Sequence, residues 1–168
     1  MLIPHGGVRP ACHGSVYVAD GAKVIGDVEI GEDSSVWFHT VIRGDIHRIR
    51  IGRSTNVQDH CVLHVTTEHP LTVGDFVTLG HRAVAHGCTI GDLYLIGIGA
   101  IVLDGAVVGR GSVIGAGAVV SPGTVVPPHS LVLGVPGKVV RDLGPGSVDG
   151  IRKTAENYVG LARSYREG

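Results

Sequence analysis

The chain carries ten histidines in 168 residues, and three of them, His64, His81 and His86, stand near one another among aliphatic and glycine-rich segments. Neutral imidazole is the commonest side-chain ligand for a metal ion. Three imidazoles with a fourth position left to water make a catalytic rather than a closed, structural centre. A cation held that way lowers the pKa of its water from 15.7 to about 7, so a hydroxide nucleophile at neutral pH is the chemistry these residue types point to. Asp45 and Asp59 lie upstream of His64 in the company of Arg43, Asn56 and Gln58. A carboxylate beside a ligand imidazole orients it and raises its basicity. The three cysteines, Cys12, Cys61 and Cys88, are an odd number at irregular spacing with no CxxC pair, which fits reduced thiols in a cytoplasm and not a disulfide framework or a zinc ribbon.

Whether the three histidines can meet depends on the elements that carry them. An aliphatic residue recurs every six positions through Ile90, Ile96, Val102, Val108, Ile114, Val120, Val126 and Val132, with a small residue four later from Ala100 onward. Six does not suit a helical stripe of period 3.6, whereas a short β-branched strand followed by a glycine turn repeats naturally at that length. Three such units make one triangular coil of about 18 residues in a parallel β-helix. Val18, Val24, Ile30, Val36 and Ile42 keep the same step of six. The step then lengthens to nine between Ile42 and Ile51, around Gly44-Asp45-Ile46, and to ten between Leu63 and Val73, around Thr66-Thr67-Glu68-His69-Pro70. Insertions of this kind leave a solenoid as loops at a corner. After Gly134-Val-Pro-Gly the repeat stops. Residues 1–140 thus read as the β-helix and 141–168 as a linker and a C-terminal α-helix, with Ile151, Ala155, Tyr158, Ala162 and Tyr165 as its amphipathic stripe and Ser147 or Asp149 as its N-cap. The aliphatic residues that precede each inward position point outward, and the helix and neighbouring subunits are expected to cover at least one such face.

The repeat is also a ruler, because residues one coil apart lie one above the other once insertions are counted. His64 and His86 are 22 apart, eighteen plus the four-residue insertion, and so share a column. Asp59 and His81 are likewise 22 apart, and Arg43 and His64 are 21 apart across the first insertion. His81 belongs to the corner before that of His86, too far round one prism to share a cation with the other two. A three-fold arrangement brings the His81 corner of one subunit to the His64/His86 column of the next, which predicts a site between subunits.

Composition closes several other classes. Mean hydropathy of +0.29 and 14 basic against 15 acidic residues argue against disorder and give nucleic acid no electrostatic footprint. No stretch of about 18 apolar residues and no signal-like start occur, so neither membrane partner nor secretion is expected. Glycine, at 27 residues, is at more than double its usual share of about 7 %, and aromatics make up only 4 %. A narrow prism whose interior admits Val, Ile, Ala, Ser and Thr accounts for both.

The segments Val-Ile-Arg43-Gly-Asp45, Asn56-Val-Gln58-Asp59, Val-Leu-His64-Val-Thr, Gly80-His81 and His86-Gly87-Cys88-Thr-Ile-Gly resemble the gamma-class carbonic anhydrase family of hexapeptide proteins. The resemblance runs over nearly the whole chain, including Ala155-Glu-Asn157-Tyr158-Val near its end. It implies an all-β solenoid, a left-handed parallel β-helix with a C-terminal helix, assembled as a homotrimer that converts CO2 and water to bicarbonate. It implies Zn2+ or Fe2+, with Co2+ serving in vitro, held by His64 and His86 of one subunit and His81 of its neighbour. Gln58 matches a glutamine that hydrogen-bonds the water or hydroxide on the metal. Arg43 and Asp59 match a charge pair across the subunit boundary, Asp45 and Asn56 belong to the supporting polar network, and Tyr158 matches a tyrosine brought toward the site by the terminal helix.

The chain also departs from the best-known active members, which bear an extra glutamate after the RGD aspartate and a long acidic loop with a shuttle glutamate. Here Ile46 and the short loop at Thr66–Pro70 stand instead, leaving Glu68, His69 and His60 as candidates to carry the proton. Two other readings follow from the departures. One is a hexapeptide acyltransferase or acyl-CoA thioesterase that binds coenzyme A between prisms. The other is a catalytically silent trimeric scaffold.

Overall fold

Each six-residue unit folds into a two-residue strand and a turn, as in Ile101–Val102, Val107–Val108, Val113–Ile114, Val119–Val120 and Val125–Val126. A computed structural model describes residues 1–167 of the chain. The strands pair in parallel with those one coil away and build three columns of inward residues. The first face stacks Val24, Ile42, Leu63, Ala85, Val102 and Val120. The second stacks Ile30, Ile51, Val73, Ile90, Val108 and Val126. The third stacks Val18, Val36, Val57, Leu79, Ile96, Ile114 and Val132, giving about seven turns. The first two faces share one sheet because the long strands Lys23–Ile30 and Val41–Ile51 run around the corner between them. The inward residues are buried except Val18 at the open first coil, which is half-buried, and the small Ala100, Ala106, Ser112 and Ala118 between them are buried too. This is the expected β-solenoid with a C-terminal helix.

The coil length is less uniform than the regular repeat suggests. Between the first-face positions Ala85 and Val102 it is seventeen residues, one short, because Ile90 follows Ala85 by five positions and not six. The lost residue is taken out at His86-Gly87-Cys88, where Gly87 turns at φ +50. The corners elsewhere use left-handed residues, glycine in the late coils and His39, His60, Arg82, Ser54 and Phe76 in the earlier ones. Phe76 holds that unfavourable conformation under the guanidinium of Arg152, 4.3 Å from its ring centroid.

Past the repeat, Lys138–Asp142 turns back as an antiparallel strand on Ser130–Leu133, so the segment read as a linker begins inside a strand. The helix α1 (Ser147–Glu167) follows and buries Ile151, Ala155 and Ala162. It lies along the third face, against the strands at Tyr17–Val18, Ser35–Val36, Asn56–Val57 and Thr78–Leu79. Ser147 does not act as the expected N-cap. Its Oγ lies 2.9 Å from both the Gly111 and the Gly144 carbonyl oxygens, which share its one proton, and the Gly111 contact tethers the helix to the solenoid. The other end is held by Arg166, which donates to the Ser15 and Gly14 carbonyls at 2.6 and 3.3 Å. The helix covers the part of the third face whose outward residues are Tyr17, Ser35, Asn56 and Thr78, not an aliphatic stretch, while Val62, Val107 and Val125 on the other two faces stay exposed. Among the described residues, no helix is long and apolar enough to cross a membrane.

Candidate functional site

Two neighbouring corners of the prism collect the polar residues. His64 and His86 end adjacent first-face strands in register, as the column count requires, and their rings face each other with Nδ1 of His64 3.0 Å from Nε2 of His86. The other nitrogen of each ring meets a carboxylate. Nε2 of His64 is 3.0 Å from Asp45, which the first insertion brings to the same corner, and Nδ1 of His86 is 2.5 Å from Asp104. Arg43 pairs with the second oxygen of Asp45. Burial works against the Asp45 carboxylate, yet hydrogen bonds from Arg43, His64 and its own backbone outweigh it, and its pKa lies below the usual carboxylate value.

His81 lies at the preceding corner, between the third-face strand Thr78–Leu79 and the first-face strand Val84–His86. Its Nδ1 is 2.7 Å from Asp59, so the column count is right for this pair too. The backbone N–H of His81 donates to Gln58 Oε1 at 3.1 Å, Gln58 Nε2 donates to Asn56 Oδ1 at 3.1 Å, and Asn56 Nδ2 donates to Thr78 Oγ1 at 2.8 Å. Asn56 and Gln58 are buried beside α1. An amide carries two N–H groups and two lone pairs, and these bonds use one of each on Gln58. Tyr158 arrives from α1 with its ring edge-on to Trp37 at 5.6 Å. Burial, then the Asp59 charge, raises its pKa.

Of the residues expected here, one chain therefore gathers His64, His86, Asp45 and Arg43 at one corner, and His81, Asp59, Gln58 and Asn56 at the next, while Tyr158 packs on Trp37. Among the described residues, no three His, Cys, Asp or Glu side chains of a single chain are set to hold a cation. The Arg43–Asp59 pair across a boundary would involve two copies; within the chain Arg43 takes Asp45 and Asp59 takes His81. His60 stacks on His39 one coil below, with ring centroids 5.4 Å apart. His69, with Thr66 Oγ1 accepting its backbone N–H, packs toward Gly105, where a Cβ would meet its Cε1 at 3.4 Å, on the His86 side of the prism. Glu68 is exposed.

Asp104 is the site residue that spacing did not single out. It is one eighteen-residue step past His86, so the same ruler finds it when carried one coil further. Each of the three imidazoles has one nitrogen against a carboxylate and the other available, which is the arrangement of metal-ligating histidines. The donor set suits a divalent cation, since tetrahedral Zn–N bonds of about 2.0–2.1 Å set two nitrogens about 3.3 Å apart, near the 3.0 Å between His64 and His86. A cavity of about 270 Å3 lined by His5, Val8, Asp27, Ile46 and His47 adjoins Asp45. A larger one of about 570 Å3, beside Cys12, Glu29 and Arg50, opens on the second face away from the imidazoles.

No family model matches the chain. Individual relatives do. It is 53 % identical over 150 residues, 89 % of this chain and 94 % of the relative, to a protein of Methanocaldococcus jannaschii named probable carbonic anhydrase. It is 44 % identical to protein YrdA of Escherichia coli, over 98 % of this chain and 94 % of that one. It is 41 % identical to gamma carbonic anhydrase 2 of Arabidopsis thaliana mitochondria, over 93 % of this chain and 58 % of that one. Among solved structures, a Bacillus cereus protein titled putative acetyltransferase superposes with a TM-score of 0.96 at 42 % identity, covering 99 % of this chain and 96 % of that one.

Proposed function

The chain belongs to the gamma-class carbonic anhydrase family, and on that premise we propose that it catalyses the reversible hydration of CO2 to bicarbonate at a divalent metal shared between neighbouring copies. The observation that carries this is the set of three imidazoles, each with one nitrogen engaged by Asp45, Asp59 or Asp104 and the other left for a ligand bond. His64 and His86 of one copy would hold the cation with His81 of the next. Zn2+ or Fe2+ fits three neutral imidazoles, and so does Co2+. When bound, the cation supplies an acidified water, its pKa lowered to about 7.

The rest falls to the chain's own residues. Gln58 supports the loop of His81 through the backbone N–H it accepts, and its free N–H and lone pair serve to orient a reacting water. Asn56 holds Gln58 from behind. Arg43 and Asp59 set the two copies against each other. His69, an imidazole beside the His86 corner, is placed to pass the released proton to solvent. The two half-sites flank the first face, whose outward residues Val41, Val62, Val84, Ile101 and Val119 form an apolar stripe. Val62 in its middle is 42 % exposed in the single chain, which supports a second copy seated there and a closed homotrimer.

Stopped-flow CO2 hydration on protein loaded separately with Zn2+, Co2+ and Fe2+, with metal per chain measured on the same samples, tests the reading. Rates that rise with occupancy are expected. Full occupancy without hydration would sink it in favour of acyl transfer or thioester hydrolysis, the reading toward which the name of the Bacillus cereus structure leans. Acyl transfer by a lone histidine has no need of three carboxylate-held imidazoles.

A further inference from the structure

Resting on the shared metal centre, we infer that Asp104 is the positioning residue of His86: it accepts the Nδ1 proton of that ring and thereby presents Nε2 to the cation. The Asp104–His86 distance, 2.5 Å, is the shortest of the three imidazole–carboxylate contacts, against 2.7 Å for His81 and 3.0 Å for His64.

Aspartates in the equivalent turn position do something different. Asp75 and Asp92 stand two residues past the inward Val73 and Ile90, just as Asp104 stands past Val102, and each spends Oδ1 on a backbone N–H of the coil below. Arg53 N–H donates to Asp75 and Asp75 N–H donates to Asp92, both at 2.9 Å. Beneath Asp104 lies Gly87, whose N–H already donates to the His64 carbonyl at 3.0 Å. The Asp104 carboxylate is thus released from holding the turn and is spent on the imidazole.

The contact falls where the coil is shortened. A Cβ on Gly87 would stand 2.9 Å from Asp104 Oδ1 and 3.0 Å from the Cβ of His69. Asp104, the glycine under it and the deleted residue act as one device that brings a carboxylate against the second nitrogen of His86.

The test titrates metal-free wild type, Asp104→Ala, Asp104→Asn, Asp104→Glu and His64→Ala with Co2+ against a chelator, reading the visible absorption of bound cobalt. Denaturant unfolding of each metal-free protein runs beside it. Expected are Co2+ binding about 10–100-fold weaker in Asp104→Ala, with shifted bands, a smaller loss in Asp104→Asn, which still accepts through Oδ1, and partial recovery in Asp104→Glu. The unfolding midpoints should stay together. Wild-type affinity and spectrum in Asp104→Ala overturn the inference, and so does a loss that follows the metal-free unfolding midpoint. If the wild type takes up no cobalt, or His64→Ala binds it equally well, the metal centre itself is refuted, which the Asp104 series alone cannot imitate.

Discussion

Asp45 is held by two donors at once, the Arg43 guanidinium and the His64 ring, and its pKa is lowered as a result. A carboxylate with a depressed folded pKa contributes stability that is complete above its unfolded value and is lost as pH falls through the folded one. With an ordinary value of 3.8, the loss belongs below that pH. Asp45→Asn should therefore flatten the acid limb of a stability–pH curve while leaving the slope near neutrality unchanged, as followed by denaturant midpoints from pH 7 to pH 2. Burial pushes the Cys61 and Cys88 thiols up to about 12, so neither forms thiolate at pH 8. A thiol reagent at that pH should modify at most Cys12 in the native protein and all three cysteines after unfolding. Gly87→Ala forces a Cβ onto a left-handed backbone and against Asp104. A loss of about 1–2 kcal/mol in denaturant unfolding is expected. At this scale much was legible: the His64/His86 and Asp59/His81 pairs follow from counting coils. Asp104 stands the nominal eighteen residues past His86 and was missed because the count stopped at that histidine, and Arg43 because its partner in the chain is two residues away and not in the next coil.

The terminal helix was legible as an element from its apolar spacing, but where it docks was not. Docking is decided by an aromatic cluster contributed by three separate segments. Trp37, nearly buried, meets Tyr17 at 5.3 Å, Tyr158 at 5.6 Å and Tyr165 at 5.3 Å between centroids. No periodicity links those positions, so only the folded chain reveals the contact. Trp37→Ala should cost about 3–5 kcal/mol, in the range of large aromatic truncations, and should release Tyr158 and Tyr165 from the solenoid. Loss of helical circular dichroism at temperatures where the β-solenoid signal persists would register it. Ser147, expected to cap the helix, tethers it because its hydroxyl finds a solenoid carbonyl within reach. The antiparallel strand Lys138–Asp142 escaped notice because one pair of strands leaves no repeat to count.

For the whole molecule, the division of the site between corners has a quantitative consequence. If each centre takes His64 and His86 from one subunit and His81 from the next, a His64→Ala chain and a His81→Ala chain each have no complete centre when pure. Mixed at equal amounts and reassembled at random, they should regain about a quarter of the wild-type centres, because each mixed trimer holds one boundary with both partners intact. Metal per chain after gel filtration measures it, and recovery of none would contradict the shared arrangement.

A stack of coils in which each touches only its neighbours unfolds as a line of weakly linked units, fraying from whichever end is freest. Here the helix spoils that independence. It is fastened at Gly111 near one end through Ser147, and at Gly14 and Ser15 near the other through Arg166. Its 21 residues, about 31 Å at 1.5 Å each, are long enough to bridge the five strand spacings, about 24 Å at 4.8 Å each, between those points. The fastening works like a tension rod through a pile of plates: the first coil is coupled to the sixth by one element that also grips the second, third and fourth on its way. Amide hydrogens of the N-terminal coil should accordingly exchange together with those of the late coils, and cutting the Arg166 end alone should let the first coil exchange ahead of the rest.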